Sequence, residues 1–251
     1  MIRTIGRLAA AGLGLLLLAG PAGGHDAGAA EPGAGGPAIE APGLDDGASY
    51  DYRAPEPGSY RLPPIGEAVG GRVLDERGAE RELAALLGER VTLLSFIYTR
   101  CSDPEGCPLA TAALFEVQDR SPGDPMLAEG LQLISLSFDP EHDTPAVMAE
   151  FAEAAVLDGG APWRYVTPPD EAALRPILEG YDQAVGTKQD AADPYGPLTH
   201  QLRVYLVDRQ RRIRNIYSLG FLDPRLMLAD VRSLLLEERG IGPDRRAEPG
   251  G

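Results

Sequence analysis

The sequence predicts an α/β sandwich of three layers, with a central mixed sheet between helices. Val91–Tyr98 and Leu131–Phe138 are nearly unbroken apolar runs, the pattern of strands covered on both faces. Each is followed by a stretch in which apolar residues recur at helical spacing. The chain then closes with a hairpin pattern and a last helix, so the order is β-α-β-α-β-α-β-β-α.

Taken in order, Gly71–Gly78 reads as a short hairpin and Glu82–Leu87 as a short helix. After the strand at Val91–Tyr98, Pro108 suits a first helical position. Leu109, Ala110, Ala113, Leu114 and Val117 then give that helix its apolar stripe. Beyond Leu131–Phe138, Thr144 caps a helix with Pro145 at its start, and Val147, Met148, Phe151, Ala152 and Ala155 form the buried side. Trp163–Val166 is a third strand, and Pro169-Asp170 opens a helix carrying Leu174, Ile177 and Leu178. Arg203–Val207 and Ile213–Tyr217 flank a polar turn at Asp208–Arg211, although the second of these strands alternates poorly. Asp223-Pro224 opens a final helix through Leu236.

Residues 1–24 read as a secretory signal peptide: Arg3 and Arg7, then an apolar stretch Leu8–Ala19, then the small residues of Pro21–Gly24. The apolar stretch falls short of the roughly 20 residues of a membrane-spanning helix. An uncleaved anchor over Gly6–Gly24 is the alternative, and no cysteine follows to take a lipid. Residues 25–64 are rich in Gly, Ala and Pro and read as a flexible linker, with 65–239 as the folded domain and 240–251 as a disordered tail. Cleavage after Ala22 would leave Gly23-Gly24-His25 as an amino terminus whose nitrogens form a planar set for Cu(II) or Ni(II).

The chain carries 38 acidic against 23 basic residues, a formal charge of −15. A nucleic-acid partner demands the opposite sign, as does binding to an anionic lipid surface. Export places both cysteines in an oxidising compartment, where a disulfide persists.

Those cysteines, Cys101 and Cys107, share one polar loop between a buried strand and a helix, where α/β folds hold redox or soft-metal chemistry. Two thiolates and the His200 imidazole make a soft three-ligand set that suits Cu(I) and can also hold Cu(II) or zinc; the alternative for His200 is a structural role, capping a turn. The same thiols, joined by a loop containing Gly106, close readily into a disulfide that serves exchange or merely staples the loop. Cys107, beside the helix start, is the sulfur the helix dipole should favour as thiolate, with Asp103 and Glu105 opposing it. Asp139 either lies near the sulfurs, orienting His200, or caps its own loop with Asp143. His142 reads as a surface residue, Tyr98 and Phe138 as packing, and Tyr195–Thr199 as a mobile loop that brings His200 in. The methionines form no cluster.

Four segments together resemble the Sco/SenC family of the thioredoxin superfamily. They are Tyr98-Thr-Arg-Cys101 with Cys107-Pro108, Ser137–Pro145 (Ser-Phe-Asp-Pro-Glu-His-Asp-Thr-Pro), Thr199-His200 before Arg203–Asp208, and the polar turn Asp208–Arg212. The resemblance implies a thioredoxin-like sandwich and copper held by Cys101, Cys107 and His200. It also implies a protein partner: a copper-accepting subunit of cytochrome c oxidase, or another periplasmic thiol protein if the pair works as a thiol-disulfide oxidoreductase. A periplasmic or exported location, tethered at most through the N-terminal segment, follows from the same likeness. Two departures stand out. Five residues, Ser102–Gly106, separate the cysteines in a loop wider than the family's, and Thr199 replaces the acidic residue common before the histidine.

Overall fold

The computed structural model describes residues 52–153, 159–190 and 192–243. The signal peptide, His25 with its two preceding glycines, residues 25–51 of the linker and 244–251 of the tail lie outside the described residues.

The fold is α/β, as the sequence indicates. A six-stranded mixed sheet has the order β1 (Gly66–Glu67), β10 (Arg212–Ser218), β9 (Arg203–Val207), β4 (Val91–Ile97), β5 (Leu131–Ser137), β6 (Trp163–Val166). β4, β5 and β6 run parallel, and the β9–β10 hairpin is antiparallel to them through β9. Every residue of β4 and β5 is buried, which is why neither strand alternates.

Helices cover both faces. Successive parallel strands are joined by right-handed crossovers, which puts α2 (Cys107–Asp119), α3 (Pro125–Gly130) and α4 (Pro145–Glu153) on one side. The last helix, α6 (Pro224–Glu238), packs against α2 and α3. On this side Phe151 meets Tyr165, and Trp163 Nε1 donates to Ser135 Oγ at 3.1 Å. On the other side Gln132 donates to the Leu86 carbonyl of α1 (Leu83–Leu87), and Phe96 packs edge-on against Tyr181, just past α5 (Glu171–Gly180). Asp124, Asp170 and Asp223 each accept backbone N–H bonds at the start of α3, α5 and α6.

Three features depart from the sequence reading. The early hairpin is wider than Gly71–Gly78, pairing β2 (Arg72–Leu74) with β3 (Glu80–Glu82). The segment Tyr195–Thr199 is only partly loop: β8 (Leu198–His200) pairs with β7 (Val185–Thr187) in a ribbon of its own, too short to leave a periodicity. The poor alternation of β10 has a cause in a bulge between Ile213 and Asn215, which turns Arg214 inward onto Asp208 at 2.8 Å.

Residues 52–64 are docked along α6, inside the stretch that composition marks as linker. Tyr52 donates to Asp223 at 2.8 Å, the Gly58 amide to Ser233 Oγ at 2.9 Å, and Tyr60 to Asp230. Two tyrosines and one glycine amide hold this strap through polar contacts, which a hydrophobicity pattern does not register.

Asp230 also accepts from Asn215 Nδ2 and Tyr217 Oη, each at 2.7 Å, with Tyr217 fully buried. Asp230→Ala strands these donors and should lower stability by about 2–3 kcal/mol, read as a fall in the urea midpoint with the slope unchanged.

Candidate metal centre

The centre stands at the C-terminal end of β4, where the chain leaves the sheet. Asp143, fully buried, accepts from the Thr99 amide at 3.1 Å, from Thr99 Oγ1, and from Ser137 Oγ at 2.6 Å. It thereby ties the exits of β4 and β5 together and fixes the backbone two residues before Cys101. Asp139 takes neither of the two side-chain roles open to it in the sequence; only its backbone carbonyl accepts the loop amides of His142 and Asp143. Its carboxylate receives Arg100 at 2.7 Å and lies 2.8 Å from His142 Nδ1, not on His200. His142 is half exposed and contributes nothing to the sulfurs.

Cys101, Cys107 and His200 are brought together: one donor atom from each lies within 4.8 Å of the others. Among the described residues this is the only such group of metal-competent side chains. Cys107 is the first residue of α2 and is buried, whereas Cys101 is half exposed, and both are free thiols. His200 arrives on β8. Its Nδ1 faces the Gln201 carbonyl at 3.3 Å and so acts as donor, which turns Nε2 toward the sulfurs, 3.4 Å from Cys107 Sγ. Its ring lies 4.8 Å from Phe138 and meets Tyr98 edge-on at 6.1 Å.

The loop between the cysteines folds on itself: Asp103 accepts the Glu105 amide at 3.0 Å through its side chain and the Gly106 amide at 2.9 Å through its carbonyl. Gly106 is favoured by space, because a Cβ there would stand 3.1 Å from Cys101 Sγ and 3.2 Å from the Asp103 carbonyl, so that the loop would have to give by a few tenths of an ångström. The wide loop thus lets the start of α2 close over the first sulfur.

The sharing of charge reverses the expectation from the helix dipole. The Cys107 thiol donates to Cys101. Against the opposing effect of burial, the nearby His200 imidazole and the amides of Cys107 and Asp103 add to this and bring Cys101 down to about 4. The same bond, burial and the Cys101 charge push Cys107 well above the usual thiol range. The N–H of α2's first residue points at Cys101, so the positive end of the helix acts on that sulfur. One proton serves two sulfurs, and it stays on the buried one.

The donor set fits a soft ion. Bonds of about 2.0–2.3 Å in a trigonal arrangement need donors about 3.5–4.0 Å apart, close to what the fold already provides. An open cleft of about 540 Å³ leads to it, lined by Tyr98, Cys101, Gly106, Tyr195, His200 and Leu219 among others, with Cys107 behind. Sequence reasoning found all three donors but missed Asp143 as a clamp, Gly106 as a spacer, and the contact of Tyr98 and Phe138 with the imidazole. A buried Asp one turn before a helix, next to Ser and Thr at strand ends, was the available sign of the first.

The fold and this cluster define a thioredoxin-like domain with a Cys-Cys-His centre at a strand end. The chain belongs to the SCO1/SenC family, whose sequence model matches residues 72–236. The SCO1 protein homolog of Bacillus subtilis (strain 168) is 27% identical over 146 residues, 57% of this chain and 69% of that protein. Copper-bound ScoI of Bradyrhizobium japonicum is 24% identical with a TM-score of 0.54, covering 66% of this chain and 98% of its own. BsSco, a Sco-family cytochrome c oxidase assembly protein in which a disulfide switch was identified, is 25% identical with a TM-score of 0.54, covering 69% and 96% respectively.

In the reduced, metal-free protein iodoacetamide should label Cys101 at neutral pH and spare Cys107, with labelling falling off only as pH drops through about 4. The unfolded chain keeps this proton to a much higher pH, so the stability Cys101 contributes is complete above the ordinary thiol value and is lost as pH falls through about 4. Equal labelling of both sulfurs would contradict the assignment.

Proposed function

We propose that this protein is exported, holds one copper ion as cargo through Cys101, Cys107 and His200, and passes it to a partner protein in cytochrome c oxidase assembly. The observation that carries this is the convergence of two thiols and an imidazole at the floor of an open cleft. Membership of the family and its copper-bound relatives support it, as does the basic-then-apolar start of the sequence for export. Among the described residues no helix is long and apolar enough to cross a membrane.

The residues divide the work. Cys101, already a thiolate and half exposed, is the donor an incoming ion or partner meets first. Cys107 must give up its proton to bind, and His200 turns Nε2 toward the sulfurs. Release follows the same order of access: a partner ligand entering the cleft displaces Cys101 and His200 before it reaches buried Cys107.

A second reading, a thiol-disulfide oxidoreductase, is favoured by the pairing of a low-pKa exposed sulfur with a buried resolving one. The two part on His200. Reduced protein loaded anaerobically should retain one copper per chain, and His200→Ala should weaken Cu(II) binding by at least about tenfold while a disulfide still forms. A wild-type protein that retains no copper, yet reduces a partner disulfide equally well after His200→Ala, would replace the first reading with the second. Because Cys101 is deprotonated beforehand and Cys107 is not, copper uptake at neutral pH should release about one proton, not two, measurable by titration calorimetry in buffers of differing ionisation enthalpy.

A further inference from the structure

His200 is the one member of the centre carried outside β4, α2 and the loop that joins them. It ends the β7–β8 ribbon, whose base is held by Gln183 Nε2 donating to the Gln201 carbonyl at 2.7 Å and by the Tyr205 hydroxyl donating to the Tyr181 carbonyl at 2.7 Å. The far part of the ribbon is fastened by hydroxyls from the segment that holds Cys101. Tyr98 Oη is within donating reach of the carbonyls of Tyr195, at 3.1 Å, and Leu198, at 3.3 Å, and it also faces the Cys101 sulfur. Ser102 Oγ donates to the Pro194 carbonyl at 2.6 Å.

The chain is shaped to receive the tyrosine. Gly196 has φ +95°, and a Cβ there would stand 2.3 Å from the Tyr98 hydroxyl and 2.8 Å from the Arg100 carbonyl. Position 196 is therefore closed to any side chain on two independent grounds, backbone conformation and space. The Tyr98 ring meanwhile lies 5.2 Å from Phe138, and both rings touch His200. Ring and hydroxyl do different things: the ring packs on the imidazole, and the hydroxyl holds the strand that carries it.

We infer that Tyr98 is a positioning residue for the third donor, its hydroxyl latching the ribbon at Gly196 so that His200 Nε2 stays over the two sulfurs. Its consequence for metal rests on the copper reading. With the latch open the centre is a bare dithiolate, which satisfies Cu(I) but not Cu(II), the ion that needs the imidazole nitrogen. The latch therefore decides which oxidation state the protein retains.

Tyr98→Phe tests this while keeping the ring. In the metal-free variant, amide exchange across residues 185–200 should quicken by about three- to tenfold, the scale of one lost hydrogen bond, with exchange in β4, β5 and β9 unchanged. Cu(II) affinity, followed by the thiolate charge-transfer absorption, should fall by about tenfold, and Cu(I) affinity should stay within about twofold, since both thiolates remain. Gly196→Ala should reproduce this pattern with the hydroxyl present, and Ser102→Ala should do so more weakly if Gly196→Ala does not fold. Unaltered ribbon exchange, or equal loss of both copper states, would overturn the inference. An effect of Tyr98→Phe that neither other variant reproduces would place the hydroxyl's action on Cys101 and equally remove the latch. A wild-type protein that binds no copper defeats the copper reading alone, and the exchange data still decide whether Tyr98 holds the ribbon.

Discussion

The constraint on which the rest depends is the complete enclosure of β4. It is paired on one edge with β5, on the other with β9, and buried on both faces. Such a strand presents no side chain to solvent. Its chemistry is confined to the residues where it leaves the sheet. Asp143 fixes that exit by gathering Thr99 and Ser137, so the position of Cys101 is set by a buried carboxylate with three donors rather than by the loop that follows. Loss of that carboxylate would free the ends of two strands at once, which is why it is the least replaceable polar group near the centre.

From that fixed exit the wide loop makes chemical sense. Five residues between the cysteines give the chain room to turn back through Asp103 and Gly106 and to aim the first amide of α2 at Cys101. The charge then settles on the sulfur that solvent can reach, and the proton on the sulfur that it cannot. Burial disfavours a thiolate at Cys107 for the same reason that it makes Cys107 a good hydrogen-bond donor: its proton has nowhere better to go. The acidic neighbours in the loop do not prevent this: the Asp103 carboxylate is engaged by the Glu105 amide, and Glu105 is exposed.

What the sequence made legible followed from strong periodic or chemical signals. The two unbroken apolar runs identified β4 and β5, Asp-Pro and Pro-Asp pairs marked helix starts, and two cysteines on one loop marked the centre. His200 could be linked to them only through the family likeness, since nothing local to Thr199-His200 says which way the ring faces. The missing parts were those whose basis is non-local. β7 and β8 are three residues each and are stabilised by partners across the chain. The strap at residues 52–64 is held by tyrosine hydroxyls on Asp230 of α6 and on Asp223 just before it, and its proline-rich composition reads as linker even though Gly58 is needed for a φ of +78° beside Leu236. Arg214 looked like a break in a strand pattern because a bulge turns it inward, which no alternation rule anticipates.

The three side chains of the cluster are held with unequal firmness, and that inequality suits the carrier role proposed above. Cys107 is built into a helix packed on the core, Cys101 sits on a loop clamped at one end, and His200 rides a two-stranded ribbon fastened by hydroxyls. A centre in which all three were equally rigid would bind more tightly but would oblige a partner to break three strong bonds together. Graded anchoring lets exchange proceed one ligand at a time, each step replacing the weakest-held donor while the next still retains the ion. The same grading explains the exposure pattern: the cleft opens on Cys101 and His200 and stops short of Cys107, so a partner meets the donors in the order of how loosely the fold holds them.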